Sequence, residues 1–401
     1  MKNTALGFLL FLGLYLSCEG QNDRASSQKV VYHINSNIKN TEADYFEGIL
    51  LAWKSYLNSE RFFSRENPYW NYEEMALPDY SYGSLLMQFR AMDGQSEPMQ
   101  CTVLGIIPVQ KEYYLLKMMF SQTDSSSKQL DIHHIISVYA KKGAEAYQFF
   151  NASQYHKEVY ENKIFGSINY IIHPAHHFQE DEAEKMNAFN QRMASIFDLS
   201  PLSFDYVLAN TSGEVAHMMG LDFFPLSYQA VQSGGMADNY NNIIYAGNNS
   251  AYYPHEVVHL YTYAKFRGQY HPWVDEGIAT HFGGSTGYKL EWHLQKLKAF
   301  LEKNPAYPLQ ELSALESDIP NGEYMTDFRY AIGGYLMRKI YEQEGMPGLF
   351  DALQAGRREE DYFRLLKEKL GIEKEEWGKY IRQEMHSLEK IEEEDLARFK
   401  Y

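Results

Sequence analysis

The sequence predicts an α+β protein with more than one domain. Apolar runs typical of strands occur early in the chain, at 103–109, 113–120 and 133–139. The last third instead has apolar residues at three- and four-residue spacing, which is typical of helices, in the segments 290–301, 330–342, 347–353, 361–370 and 375–399. With 401 residues, of which 45% are hydrophobic, the chain can bury a sizeable core.

The first residues have the pattern of a targeting segment. Lys2 precedes an apolar run at 5–16, and Ser17 and Cys18 follow it. A run of this length is too short to span a membrane as a stable helix. We therefore expect a signal peptide.

The end of this apolar run resembles a bacterial lipobox, in which the cysteine is lipidated, although Tyr15 departs from the usual aliphatic residue. We expect a signal peptide at 1–17, lipidation of Cys18 and a polar tether at 18–28, with generic cleavage nearby as the alternative. The predicted localisation is that of an exported bacterial lipoprotein, anchored to the cell membrane or the outer membrane through its lipid.

The segment 29–162 is predicted to be a small α+β domain, because a helical pattern at 45–58 precedes the strand-like runs. It has no repeat and no motif. Its role stays open between a substrate-orienting module, a partner-binding module and a folded spacer. Cys101 lies in this domain beside an apolar run, so a buried structural thiol is expected rather than a nucleophile.

A second folding unit is predicted to begin near residue 163. A strand-like run at 164–172 is followed by a helical pattern at 181–197. The apolar stripe of that helix consists of Ala183, Met186, Phe189, Met193 and Ile196. We place the boundaries of this unit at 163–287 and those of the helical region that follows it at 288–401.

The charge of the chain argues against a nucleic-acid partner. The formal net charge is −16, and no dense run of Lys or Arg could form a cationic stripe for a phosphate backbone. Much of the acidity lies at 373–394, where Glu and Lys alternate as on a solvated helix face.

The strongest chemical signal is the HExxH pentapeptide that begins at His255 and ends at His259. Two imidazoles four residues apart lie on one face of a helix and can share a metal ion. Pro254 suits the first turn of that helix. Glu256 lies beside the first imidazole, so its carboxylate can act as a general base on a water molecule at the metal.

A third ligand is available a short distance along the chain. After a turn that contains Gly268 and Pro272, the segment 274–282 can form a second helix that returns alongside the first and carries Glu276. Two imidazoles and one carboxylate, with one open position for water, match a catalytic zinc site.

This pattern resembles the gluzincin zinc metallopeptidases, and among them the peptidase MA-like and aminopeptidase N-type families, in which a helix bearing Trp-x-x-Glu-Gly follows HExxH. Here that sequence runs from Trp273 to Gly277, and 16 residues separate His259 from Glu276, slightly fewer than is usual in the aminopeptidase N type. The resemblance implies a Zn²⁺ cofactor, a peptide or protein substrate and a thermolysin-like catalytic domain. In that domain a mixed sheet edge accompanies the two helices, with 163–287 as its core and 288–401 completing the active site.

Upstream, the segment 234–239 looks like a degenerate GAMEN strand, whose counterpart in aminopeptidases lines the cleft and pairs with the substrate backbone. The alternative is an ordinary glycine-containing turn. The resemblance implies substrate-binding roles for Gly235, Met236, Asp238 and Asn239. The amine-binding Glu of that family is not matched in place, so internal cleavage is slightly favoured over aminopeptidase action.

Downstream, Tyr330 begins a Tyr-x-x-Gly sequence similar to that of the family, whose phenol stabilises the oxyanion of the tetrahedral intermediate. A core tyrosine is the alternative, and Tyr324 and Tyr335 are the nearest competitors. For the whole chain, the alternative from another functional class is a non-catalytic surface binding protein on the same fold.

The remaining histidines are expected to have other roles. His173, His176 and His177 cluster without a carboxylate at ligand spacing, so a second metal site is not expected. His271 and His281 flank the helix of Glu276, where packing roles are favoured over a place in the cleft.

Overall fold

The computed structural model describes residues 31–59, 67–71, 100–124, 126–223, 234–309, 311–315, 319 and 326–401. The predicted signal peptide, the tether, Cys18 and Tyr324 lie outside the described residues. Every helix in the described part is too short or too polar to traverse a lipid bilayer.

The first sheet contains the strands expected early in the chain. Its strand order is β1-β2-β3-β4-β5, with β9 also pairing with β4. The strands are β1 (Val31–Ile34), β2 (Gln100–Pro108), β3 (Tyr114–Thr123), β4 (Leu130–Lys142), β5 (Tyr147–Phe150) and β9 (Leu221–Phe223). The β1–β2 pair is parallel and the other pairs are antiparallel.

Helix α1 (Asp44–Leu57) covers this sheet with its apolar face. The ring of Trp53 meets that of Phe149 edge to face at a centroid distance of 5.1 Å, a geometry that aromatic pairs prefer. Cys101 is fully buried in the same core, and burial raises the pKa of its thiol to about 12. The expectation that this thiol is buried is confirmed.

The second sheet is mixed, with strand order β10-β11-β8-β7-β6. The strands are β6 (Glu161–Phe165), β7 (Ile168–Ile172), β8 (Phe204–Leu208), β10 (Gly234–Asp238) and β11 (Ile243–Gly247). The three central strands run parallel, and the edge strands β6 and β10 pair antiparallel. An α+β architecture is therefore confirmed.

The run 164–172, expected to be one strand, is instead most of a β-hairpin. Phe165 pairs with Ile168 across a two-residue turn, and Gly166 has a φ of +61°. Glycine at the first turn position supplies this left-handed conformation without strain. The apolar periodicity continues through the turn, so the sequence pattern did not reveal the reversal.

Helix α2 (Ala152–Val159) leads from the first sheet to the second, and α3 (Glu180–Phe197) covers the second sheet with the predicted apolar stripe. Helix α4 (Ser212–Met218) then leads to β9, which returns to the first sheet. The first sheet therefore contains a strand, residues 221–223, that is distant in sequence and that no local pattern indicates.

The helices from residue 254 onward follow the predicted segments closely, with two exceptions. They are α5 (Pro254–Phe266), α6 (Pro272–Gly283), α7 (Leu290–Lys303), α8 (Gly334–Gln354), α9 (Glu359–Leu370) and α10 (Trp377–Ser387). In the first exception, the segments 330–342 and 347–353 form one continuous element: a π-helical turn, Arg329–Gly333, leads into α8, which is kinked at Gly345.

The second exception is the segment 375–399, expected to be one helix. Helix α10 ends at Ser387, and a 3₁₀ helix occupies Glu393–Phe399. Two side chains of α7 explain the break. Lys298 donates to the carbonyls of Met385 (3.1 Å) and His386 (3.0 Å), and Gln295 donates to the carbonyl of Glu389 (2.8 Å). The two bonds from Lys298 satisfy carbonyl groups that a helix end leaves unpaired.

We expect Lys298→Met to lower the free energy of unfolding by about 1–3 kcal/mol, because it leaves the α10 carbonyls without donors in a buried place. Lys298 is 6% exposed. Urea unfolding of the variant measures the loss. Lys185→Met, in an exposed ion pair on α3, is the matched control and should change stability by less than about 0.5 kcal/mol. Equal effects of the two substitutions would contradict this role of Lys298.

Candidate metal centre

Helix α5 presents His255 and His259 on the same face, one turn apart. It begins at Pro254, whose missing N–H costs nothing in the first turn. Both imidazoles are buried, with 3% and 8% of the residue exposed.

Helix α6 carries Glu276 back against α5. His271 caps its N-terminus by accepting from the Trp273 amide at 3.2 Å and stacks on Tyr362. Burial lowers the pKa of His271 to about 4, so the ring is neutral and serves packing and capping, as expected. His281 packs between Phe282 and Tyr341 at the other end of α6.

Glycines allow α6 to approach its neighbours on both sides. A β-carbon on Gly283 would lie 2.7 Å from the backbone nitrogen of His255, and one on Gly277 would lie 2.5 Å from the carbonyl oxygen of Gly333. These distances are too short for any side chain. Helix α6 is therefore held between the start of α5 and the π-helical turn, which fixes Glu276 next to the histidines.

Three side chains converge in the buried space between α5 and α6. The Nε2 atoms of His255 and His259 are 3.2 Å apart. The Oε2 atom of Glu276 lies 3.2 Å from the first and 3.7 Å from the second. Within the described residues these three form the one group that has the composition and spacing of a metal site.

Hydrogen bonds on the far side of each ring determine where the imidazole protons lie. His255 Nδ1 is 2.6 Å from the Gly284 carbonyl, and His259 Nδ1 is 2.9 Å from the Asp275 carboxylate. A carbonyl or carboxylate can only accept, so both Nδ1 atoms carry the proton in the neutral rings. Both Nε2 lone pairs consequently face each other and Glu276.

With both rings neutral, these three acceptors repel one another in a buried site. A positive charge removes that repulsion, whether it is a proton on an imidazole or a metal ion between the three atoms. Two imidazole nitrogens and one carboxylate oxygen are the donor set of a catalytic zinc site. The residues present therefore fit a zinc ion.

The electrostatics of the pocket also favour a positive charge. Burial alone would lower the pKa of His259, but Asp275, Glu276 and Glu256 raise it to about 10. Burial alone would raise the pKa of Glu276, but the two histidines hold it at about 2.

Asp275 is a site residue that the sequence reasoning missed. One carboxylate oxygen binds His259, and the other accepts from the Thr262 hydroxyl at 2.7 Å. A carboxylate behind a ligating histidine fixes the ring and makes it a stronger ligand. Its position next to Glu276 in the sequence is the one local signal that could have revealed it.

Tyr253 is a second missed residue. It immediately precedes α5, and burial together with the nearby Glu256 raises the pKa of its phenol far above the ordinary value. A β-carbon on Gly235 would lie 2.5 Å from the Tyr253 ring, so strand β10 packs directly on this tyrosine. Tyr253 thus joins the edge strand to the surroundings of Glu256, which is itself 6% exposed.

The structure places Tyr330 in the π-helical turn, beside the histidines. Its ring centroid is 5.5 Å from that of His255, and burial and Glu276 raise the pKa of its phenol well above 10. The competitor Tyr335 instead points toward α10 and donates to Glu384. Of these two tyrosines, only Tyr330 lies at the candidate metal centre.

The segment 234–239 forms the edge strand β10 and the start of the following turn, so the alternative of a simple turn is not what the structure contains. Gly235 lies against the Tyr253 ring, which is next to the site, and Met236 packs against a small apolar cluster. The Asp238 carboxylate accepts from the amides of Tyr240 and Asn241, both at 3.1 Å, and so holds the turn in which Asn239 lies.

The histidine cluster after β7 has ordinary polar partners. His173 Nδ1 accepts from the Ala175 amide at 3.2 Å, and His176 Nδ1 is 2.9 Å from the side-chain oxygen of Asn210. These contacts are those of a surface loop.

We expect Asp275→Ala to weaken zinc binding by about 10–100-fold, since His259 would lose the partner that orients it. Competition with a chromophoric chelator measures the dissociation constant. Asp351→Ala removes an exposed carboxylate paired with Lys369 and should leave zinc affinity unchanged. Wild-type affinity in Asp275→Ala would show that the hydrogen bond does not support the ligand.

No protein-family model matches the chain, and no curated protein matches its sequence. Similar solved structures include a mutant two-domain M1 zinc metallopeptidase bound to L-tryptophan, at 12% identity and a TM-score of 0.31, which covers 71% of this chain. An M1 zinc metallopeptidase from Deinococcus radiodurans matches at 11% identity and a TM-score of 0.29 over 72% of this chain. A mutant M1 zinc metallopeptidase from the same organism, bound to a Tyr-Ser-Ala substrate, matches at 12% identity and a TM-score of 0.29 over 72% of this chain. The chain spans 63% of the length of each of these proteins. Because the identities and TM-scores are this low, the interpretation of the site rests on the geometry described above.

Proposed function

We propose that the protein is a zinc-dependent peptidase with a thermolysin-like gluzincin arrangement, in which His255, His259 and Glu276 hold the metal. One observation carries the proposal: with both rings neutral, the two imidazole Nε2 lone pairs and the Glu276 carboxylate face one buried point. The neighbouring Glu256 and Tyr330 supply the other two groups that peptide hydrolysis needs.

A zinc ion in this site supplies Lewis-acid chemistry, since it polarises a carbonyl group and lowers the pKa of a water molecule. The Glu256 carboxylate removes the proton from the attacking water and transfers it to the nitrogen of the leaving amine. Its burial beside Tyr253 keeps it in a fixed position and away from bulk solvent.

The Tyr330 hydroxyl donates a hydrogen bond to the oxyanion that forms at the attacked carbonyl. Burial and the Glu276 charge raise the pKa of the phenol well above its ordinary value, which favours the protonated form that can donate. The π-helical turn suits this role, because such turns commonly present side chains at functional sites.

Strand β10 is the surface that would receive the substrate. It is an edge strand of the second sheet in the described part of the chain, and Gly235 brings its backbone onto Tyr253 beside Glu256. An extended peptide can add to such an edge through main-chain hydrogen bonds, which places its carbonyl groups along the cleft.

Internal cleavage fits this site better than aminopeptidase action. An aminopeptidase needs a carboxylate that pairs with the free ammonium group of the substrate. Strand β10 offers the carboxylate of Asp238, but this group is occupied by the amides of the β10–β11 turn and by the Asn241 side chain at 2.6 Å.

We expect Glu256→Gln to keep the zinc and lose nearly all hydrolysis of a casein or peptide-library substrate. The amide fills the same space but cannot take the proton, which should reduce kcat by about 10²–10⁴-fold. Zinc content and rate are measured on the same sample. Glu184→Gln, on the exposed face of α3, serves as the control and should be fully active. Substantial activity in Glu256→Gln would remove this residue from the mechanism. If the wild-type protein bound zinc but hydrolysed no peptide, a non-catalytic binding protein would be indicated instead.

We expect matched peptides with free and acetylated N-termini to be cleaved at similar kcat/KM, because no amine anchor is needed for internal cleavage. Asp238→Asn should slow both peptides alike, through its effect on the turn. If acetylation abolished cleavage and Asp238→Asn did the same to the free peptide, the enzyme would be an aminopeptidase anchored by Asp238.

A further inference from the structure

The loop between α6 and α7 touches the candidate metal centre through its backbone. The Gly284 carbonyl accepts from Nδ1 of His255 at 2.6 Å, and the next carbonyl, of Ser285, accepts from Nε2 of His293 at 3.0 Å. The loop therefore sets the orientation of one ligand directly.

The same loop is hydrogen-bonded to His293, whose ring lies near that of Tyr330. Because the Ser285 carbonyl can only accept, Nε2 of His293 carries the proton, and Nδ1 accepts from the Thr326 hydroxyl at 2.7 Å. Burial lowers the pKa of His293 to about 4, so the ring stays neutral and this pattern persists. Thr326 lies just before the π-helical turn, and the His293 ring is 6.0 Å from that of Tyr330.

The backbone of this loop has a run of positive φ angles that includes one disfavoured residue, Thr286. Gly284, Thr286 and Gly287 have φ values of +64°, +48° and +83°. A β-branched residue at positive φ is disfavoured, and such a conformation persists only where surrounding contacts hold it.

Residues 399–401, which we call the strap, provide those contacts. The Lys289 amide donates to the Phe399 carbonyl at 2.9 Å, and the Tyr401 amide donates to the Gly287 carbonyl at 3.0 Å. Tyr288 and Lys400 form an antiparallel bridge between these two bonds. The strap thus pairs with the loop as a short strand.

The Tyr401 side chain reaches the residues on both sides of the first ligand. It covers Gly284, where a β-carbon would lie 2.5 Å from the Tyr401 ring and hydroxyl. Its ring is also 5.7 Å from that of Tyr252, which precedes Pro254 and His255. One side chain therefore contacts the segment before α5 and the residue whose carbonyl orients His255.

We propose that the strap is a positioning element that holds the 284–288 loop in place, with Tyr401 as its main side chain, and so tunes the zinc affinity of the site. That the strap positions the loop does not depend on the proposed function. The effect on zinc affinity does rest on the proposed function. The test has one readout for each.

The first readout is hydrogen exchange of the metal-free protein. In Tyr401→Ala, the amides of Ser285, Tyr288 and Lys289 should lose protection, because they form the hydrogen bonds within the loop and to the strap. Tyr401 is 44% exposed, so its removal should leave the rest of the fold protected. Tyr401→Phe keeps the ring and should restore protection. Unchanged exchange in Tyr401→Ala would overturn the proposal, whatever the protein binds.

The second readout is the zinc dissociation constant of the full chain, obtained by chelator competition. Tyr401→Ala should bind zinc about tenfold more weakly, and Tyr401→Phe should match the wild type. Tyr114→Ala removes a half-buried tyrosine from the first sheet and controls for a general loss of packing. Equal affinity of Tyr401→Ala and the wild type, or an equal loss in Tyr114→Ala, would overturn the effect on the metal. A wild-type protein that takes up no zinc would refute the proposed function, and the exchange data would still decide whether the strap holds the loop.

Discussion

Two imidazole nitrogens and a carboxylate oxygen lie within 3.7 Å of one another inside this protein, and their need for a positive charge among them is the constraint on which the site depends. Each imidazole is turned into that position by an acceptor behind it, Gly284 for one and Asp275 for the other. Placing three acceptors together is unfavourable unless a cation joins them, since a buried acceptor needs a donor or a positive charge. The fold thus maintains a buried site for a positive charge.

The arrangement of helices follows from this constraint. Helix α6 must approach α5 closely enough for Glu276 to reach both histidines, and it must also touch the turn that carries Tyr330. Gly283 and Gly277 permit the two approaches, because a β-carbon at either position would collide with backbone atoms. The Glu-Gly pair of the motif therefore has a packing reason as well as a chemical one.

The metal-site hypothesis could be derived from sequence because the spacing of residues along a helix is local. His255 and His259 share a face whatever surrounds them, and Pro254 marks the start of their helix. The residues that support these ligands and Glu256 were not visible in the same way. Tyr253, Asp275 and the Gly284 carbonyl acquire their roles from contacts across the fold. The same reason explains the pairing of β9 with the first sheet and the end of α10 at Ser387, where side chains of α7 donate to carbonyl groups. The hairpin within 164–172 was missed for a local reason, because the apolar periodicity continues through its turn. The roles assigned to Glu256, Tyr330 and strand β10 remain predictions supported by position.

The most direct test of the account is to locate zinc in crystals of the purified protein by anomalous diffraction at the zinc absorption edge. The account predicts one peak at about 2.0–2.1 Å from Nε2 of both His255 and His259, with a Glu276 oxygen at about 2.0–2.2 Å. An empty site in protein supplied with zinc, or a zinc ion bound elsewhere while these three side chains keep their contacts, would contradict it.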